Sequence, residues 1–260
     1  MNGAVKVVQV EGVRLAVQRH GSNAKARRHL VFLHDSLGCI TTWRDFPQQL
    51  GEAVGCDVMI YDRQGYGRSD PFAPEPRKSD YMHNEAEVLI DLLDHEGIDQ
   101  AILFGHSDGG TIALLAAARH PERVAAVITE GAHVFVEEVT INGIGAAERQ
   151  FASTDLKEKL QRHHGDRTEA LFHAWTKTWQ APFFRDWSIV QEISAIRCPV
   201  LVLQGVDDAY GTEAQVDAIV RAVGEEHTRK YMIPGAAHTP HKETPSITLE
   251  LTKRFLDGVL

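Results

Sequence analysis

Gly105-His106-Ser107-Asp108-Gly109 joins an apolar run, Ala101 to Phe104, to an Ala/Leu-rich stretch, Thr111 to Arg119. The run reads as a short buried strand and the stretch as a helix. A chain passing directly from strand to helix must turn sharply. Glycines two residues either side of Ser107 remove the Cβ atoms that would collide and leave its hydroxyl exposed at the tip. The same turn aims the backbone N–H of Asp108, at the helix N-terminus, towards negative charge developing beside Ser107. Such a serine is either a nucleophile or a cap on a Gly-rich turn, because G-x-S-x-G alone recurs by chance. Its place between strand and helix favours the nucleophile.

A serine hydroxyl is a poor nucleophile until a base removes its proton. That base has to come from another strand end. His238 follows the strand ending at Ile233, in Gly235-Ala236-Ala237-His238, with His241 one short turn further on. His106 adjoins the nucleophile but should point away from it. His163, His164 and His173 fall outside the strand pattern, where solvent exposure is expected. The base in turn needs a carboxylate to fix its tautomer and stabilise the imidazolium. Asp207 and Asp208 follow the strand Leu201 to Leu203, and Glu130 ends the strand that begins at Val124.

The remaining elements must bring these residues together. Val5 to Val10 and Val13 to Gln18 flank Glu11-Gly12 and read as a β-hairpin. Leu30 to Leu33 is a continuous apolar run that suits a strand buried on both faces. Trp43 to Leu50 reads as a short helix and Cys56 to Tyr61 as a strand. Pro71 to Pro76 holds three prolines and must be irregular. Apolar residues at helical spacing from Tyr81 to His95 give an amphipathic helix that stops at Gly97. Strand and helix alternate through Thr129, which predicts a parallel sheet with helices on both faces. The alternation breaks between Val134 and Arg197, a segment helical in pattern and rich in Phe and Trp. It resumes with the strand at Pro199 to Leu203, the helix Glu213 to Val223, the strand Arg229 to Ile233 and the helix Ile247 to Val259.

At 260 residues the chain can bury a sizeable core in one α/β domain, and 43% hydrophobic with 24% charged residues is ordinary for a globular protein. A net charge of −9 argues against nucleic acid or an anionic membrane as partner. Cys39, Cys56 and Cys198 are odd in number and widely spaced, as expected of reduced, buried thiols rather than a disulfide framework or metal site. Met1 to Val10 lacks the apolar core of a signal peptide, and no apolar run is long enough to span a bilayer. A cytoplasmic protein with a small-molecule substrate is expected, a homodimer being left open.

The elbow, the strand order and the partner order Ser, Asp, His resemble the α/β-hydrolase fold over nearly the whole chain. The resemblance is to small bacterial esterases and carbon–carbon bond hydrolases with a helical cap after the sixth strand. It implies a core of residues 1–133 and 198–260, with a cap at 134–197. It puts the base at His238, and its spacing of Gly, two residues, then Asp selects Asp208 counted from Gly205. Some members of the superfamily use the position of Glu130 instead. Asp207 is left to cap the next turn. The second oxyanion donor is expected in the loop His34-Asp35-Ser36-Leu37-Gly38, which lacks the usual glycine after the histidine. The donor N–H then belongs to Ser36 or Leu37, and Leu37 is preferred. Asp62 to Ser69 resembles a loop that braces the sheet. The resemblance implies a Ser107-His238-Asp208 hydrolase without metal or organic cofactor. Ser36, His133, Trp175 and Trp179 are expected in the substrate pocket. The Asp108 side chain is expected to favour the helix N-terminus; facing the pocket, it would repel anions.

Overall fold

A computed structural model describes residues 3–21, 28–73 and 77–259. Its single sheet has eight strands in the order β1-β2-β4-β3-β5-β6-β7-β8. The opening hairpin, β1 (Lys6–Val10) and β2 (Val13–His20), turns at Glu11 and Gly12, both with positive φ, and pairs antiparallel with the rest. β3 (His29–Leu33), β4 (Asp57–Tyr61), β5 (Ala101–His106), β6 (Val124–Glu130), β7 (Val200–Gly205) and β8 (Thr228–Ile233) run parallel. Chain order reverses between β3 and β5. At such a switch point the loops leaving adjacent strands diverge and open a crevice beyond their C-terminal ends. β5 and β7 are buried throughout because helices cover both faces.

The helices are α1 (Phe46–Val54), α2 (Tyr81–His95), α3 (Asp108–Arg119), α4 (Glu138–Ser153), α5 (Leu156–His164), α6 (Thr168–Trp179), α7 (Glu213–Val223), α8 (Pro240–Glu243) and α9 (Pro245–Val259). Among the boundaries that differ from the sequence expectation, two change how a helix begins. The stretch Trp43 to Leu50 divides into a 3₁₀ turn over Ile40–Trp43 and α1, whose first turn takes Pro47 where no N–H is needed. Helix α3 starts at Asp108 rather than Thr111. The intervening glycines are helical because the helix must press against the sheet: a Cβ on Gly109 would lie 2.1 Å from the Leu33 carbonyl oxygen. Residues 71–73 are irregular, as the prolines require; 74–76 lie outside the described residues.

Helices α4, α5 and α6 fill the break in the alternation, between β6 and β7. One antiparallel bridge, Phe135 with Ser188, closes the neck of this insertion, where no strand was expected. Its aromatic residues pack together: Phe151 stacks on Phe172 at 3.9 Å, and Trp179 meets Phe184 and Trp187. The three cysteines are unpaired and buried. No helix among the described residues is long and apolar enough to cross a membrane.

Candidate active site

Ser107 sits between β5 and α3 with φ 54° and ψ −121°. A non-glycine residue rarely adopts this conformation, which costs about 1–3 kcal/mol. Close packing on both sides holds it there: a Cβ on Gly105 would meet the Gly109 carbonyl oxygen at 2.2 Å. The Ser107 N–H donates to the Glu130 carbonyl at 2.8 Å, tying the turn to β6.

The loops after β7 and β8 converge on this turn. His238 Nε2 lies 3.0 Å from Ser107 Oγ, and His238 Nδ1 lies 2.9 Å from Asp208 Oδ2. Asp208 Oδ1 also accepts the Tyr210 N–H at 2.8 Å. Burial pushes the Asp208 carboxyl up, but His238 and the Tyr210 N–H outweigh it and hold it below its ordinary value. A carboxylate facing Nδ1 requires the proton there, which leaves Nε2 to accept the serine proton. Asp207 is exposed, and its N–H donates to the Ala236 carbonyl. The turn it was expected to cap is closed by Asp208 itself.

The rival groups form a separate pair. Glu130 is fully buried and takes both the N–H and Nδ1 of His241, the latter at 2.6 Å. These two join α8 to the end of β6, behind His238. His106 is buried beside them, with Nε2 2.8 Å from the His238 carbonyl and Nδ1 3.5 Å from Asp35 Oδ1. Burial would raise the Asp35 carboxyl, but the hydrogen bond and charge of His106 hold it well below the usual carboxylate range. His106, Glu130 and His241 are close enough together to be considered as metal ligands. Both His106 nitrogens, His241 Nδ1 and the two Glu130 oxygens already engage one another or neighbouring groups, which describes a structural polar cluster.

The loop after β3 departs from expectation. The N–H of Leu37 donates to Asp35 Oδ2 at 3.2 Å, so the residue that replaces the usual glycine has captured it. The N–H of Ser36 donates to no group among the described residues. The Asp35 carbonyl, in the same peptide unit, accepts from Arg63 Nη2 at 3.1 Å and lies 2.7 Å from His34 Nδ1. A trans peptide directs its N–H opposite its carbonyl, so these bonds fix where the Ser36 N–H points. Asp62 accepts the N–H groups of Ile40 and Arg68, and Ser69 bridges to the Ala16 N–H, so this loop braces the sheet as expected.

A cavity of about 200 Å³ opens over Ser107. Ser36, Leu37, His133, Trp175 and Trp179 all line it, together with Tyr210, Ile144 and Thr140. The Asp108 side chain also lines it, and no side chain caps α3. Asp108 Oδ2 instead accepts from Tyr81 OH at 2.9 Å, and Tyr81 OH accepts from Trp179 Nε1 at 3.1 Å. The Asp108 carboxylate stays in the first turn of α3, where the charge favours the N-terminus, and its hydrogen bond comes from a donor 27 positions away. His164 is a further correction: expected in solvent, it is buried against Leu37 and Gly67, whereas His163 and His173 are exposed. Sequence reasoning also passed over Tyr81 and Tyr210. Tyr81 read as the first turn of a helix, and only its lone polar atom on a buried face hinted at a partner.

The family profile described as alpha/beta hydrolase fold matches residues 28–189. Serine hydrolase BPHL of Homo sapiens is 26% identical over 255 residues, covering 96% of this chain and 85% of that protein. A 2-hydroxy-6-oxononadienedioate/2-hydroxy-6-oxononatrienedioate hydrolase of Burkholderia vietnamiensis is 28% identical over 234 residues, covering 79% of each. Epoxide hydrolase A of Mycobacterium tuberculosis is 31% identical over 320 residues, covering 98% of this chain and 97% of that one. All three relatives are named as hydrolases. With a family profile running through more than half its length, and with the sheet order and elbow described above, the chain belongs to the alpha/beta hydrolase fold family.

Proposed function

We propose that the protein is a serine hydrolase that cleaves a carboxylic ester, lactone or thioester through an acyl-enzyme. The observation that carries this reading is the unbroken relay Ser107 Oγ, His238, Asp208 at the floor of the cavity. Ser107 Oγ attacks the carbonyl carbon while His238 Nε2 takes its proton, and Asp208 stabilises the imidazolium. The oxyanion is held by the N–H groups of Asp108 and Ser36. Collapse expels the alcohol or thiol with the proton from His238. Water, deprotonated by the same nitrogen, then releases the acid and restores Ser107.

Helices α4 and α6 act as a cap, 134–197, that excludes water and shapes the acyl site with Ile144, Trp175 and Trp179. Carboxylates of Asp35 and Asp108 line the cavity against one ammonium, Lys242. That balance favours neutral or cationic substrates over anionic ones. The same balance weighs against a dioate, the kind of substrate named for the Burkholderia relative, and so against carbon–carbon hydrolysis of an anionic meta-cleavage product. Epoxide opening is disfavoured for another reason: serine attack on an epoxide makes an ether, which has no carbonyl for water to attack.

The test is Ser107→Ala with a panel of p-nitrophenyl esters and a meta-cleavage product. Ester turnover should fall by about three orders of magnitude in kcat while the protein stays folded. Near-wild-type ester turnover in the purified variant would remove Ser107 from the mechanism. Turnover of the meta-cleavage product but of no ester would replace the ester reading with the carbon–carbon one.

A further inference from the structure

The loop bearing Ser36 is held from two sides. The core holds its first half, where Arg63 Nη2 donates to the carbonyls of both His34 and Asp35. The second half turns back on Asp35 through the Leu37 and Gly38 N–H groups, and the insertion holds it from outside. His164, the last residue of α5, places Nε2 2.9 Å from the Leu37 carbonyl oxygen. Its Nδ1 accepts the Gly67 N–H at 3.1 Å. A backbone N–H can only donate and a carbonyl can only accept, so the ring is neutral with its proton on Nε2. Burial likewise lowers the His164 pKa from its ordinary value. The surrounding corner is anchored: Arg167 donates to the carbonyls of Gly67 and Ser69, and Thr41 Oγ1 meets His163 Nδ1 at 2.7 Å.

We propose that His164 is a positioning residue through which the cap sets the loop carrying the second oxyanion donor. The inference rests on the serine-hydrolase reading above. Ser36 lies between two fixed carbonyls, that of Asp35 held from the core and that of Leu37 held from the cap. Releasing the second lets the Ser36–Leu37 segment rotate, and a donor is useful only within a few tenths of an ångström of the developing oxyanion. Substrate binding depends on the cavity walls and suffers less. The signature of His164 is therefore a loss of transition-state stabilisation at nearly constant KM.

The experiment compares His164→Phe, His164→Asn and His164→Gln with wild type. Phenylalanine fills the space and makes neither bond. Asparagine keeps an acceptor for Gly67 but falls short of Leu37, whereas glutamine returns an N–H to the position of Nε2. Each is assayed for p-nitrophenyl ester kinetics, melting temperature and inhibition by a trifluoromethyl ketone, which forms a tetrahedral oxyanion on a serine. Phe and Asn variants should lose about tenfold or more in kcat and in ketone affinity together, with KM within about twofold, and Gln should recover most of it. If His164→Phe fails to fold, the Asn variant carries the comparison. Folded variants with unchanged ketone affinity, or with losses confined to KM or melting temperature, would overturn the proposal. Labelling of wild-type Ser107 by a fluorophosphonate separates the two readings. Without labelling, the serine-hydrolase reading falls and this inference with it; labelled Ser107 with indifferent His164 variants sinks the inference alone.

Discussion

At the scale of single residues, two of the carboxylate–imidazole pairs near Ser107 offer a candidate acid, and only one reaches the serine. Asp208 meets His238 at 2.9 Å, and Glu130 meets His241 at 2.6 Å. Asp208→Asn should lower kcat by about a thousandfold or more, because the amide leaves the imidazole in the wrong tautomer. Glu130→Gln should leave kcat within about tenfold and chiefly lower the melting temperature, since it weakens the anchor of α8. Steady-state kinetics beside thermal melts on both variants decides the matter; the reverse pattern would hand the acid's role to Glu130. Ser107 was legible because it follows directly on an apolar strand. Asp208 and His238 lie a few residues past their strand ends and were selected over Asp207 and His241 by the family resemblance. Asp108 stands in the first turn of α3, as expected, but its hydrogen-bond partner was not legible. The hydroxyl that claims it belongs to Tyr81, and pairing across that distance leaves no local trace.

At the scale of elements, the insertion between β6 and β7 was visible as a break in periodicity, but its internal contacts were not. Helical spacing put Trp175 and Trp179 on one side of a helix without saying what that side faced. Both line the cavity, and they differ in support. Trp179 donates to Tyr81 and packs against Phe184 and Trp187, whereas Trp175 meets Phe172 and Tyr210. Trp175→Ala should mainly alter kcat/KM and the ranking of acyl chain lengths. Trp179→Ala should do so and also destabilise the protein by about 3 kcal/mol, as core Trp truncations do. An unchanged chain-length profile in both variants would mean that the pocket wall lies elsewhere. The corner of α5 and α6 escaped notice because Leu37 and His164 are 127 positions apart.

At the scale of the whole molecule, folding buries several imidazoles as neutral acceptors. His34 Nε2 accepts the Arg63 N–H at 3.1 Å, and His164 Nδ1 accepts that of Gly67. Burial, first among the causes, lowers the pKa of His34, His133 and His164 from the ordinary value, that of His34 furthest. Unfolded, these groups titrate near about 6.5, so below that pH the unfolded chain binds more protons than the folded one. Their contribution to stability is complete above about pH 6.5 and is lost as the pH falls. His106, which Asp35 holds up despite burial, contributes in the opposite sense. His20, His29, His163 and His241 are lowered as well, so with seven imidazoles against one the melting temperature should decline from about pH 6.5 towards pH 5. Calorimetry across that range checks it, and a flat profile would contradict neutral burial of these histidines. Acidic excess was readable from composition, but which histidines are buried depends on contacts between distant loops.

Two of the chain's four tryptophans stand in the wall of the cavity over Ser107, one with its indole N–H donating to a tyrosine hydroxyl. Indole emission shifts with the polarity and hydrogen bonding of its surroundings. Any occupant that displaces water from so small a space changes both for Trp175 and Trp179. The protein therefore carries its own optical reporter of occupancy, and unlabelled compounds can be screened against it in a fluorimeter before any turnover assay exists.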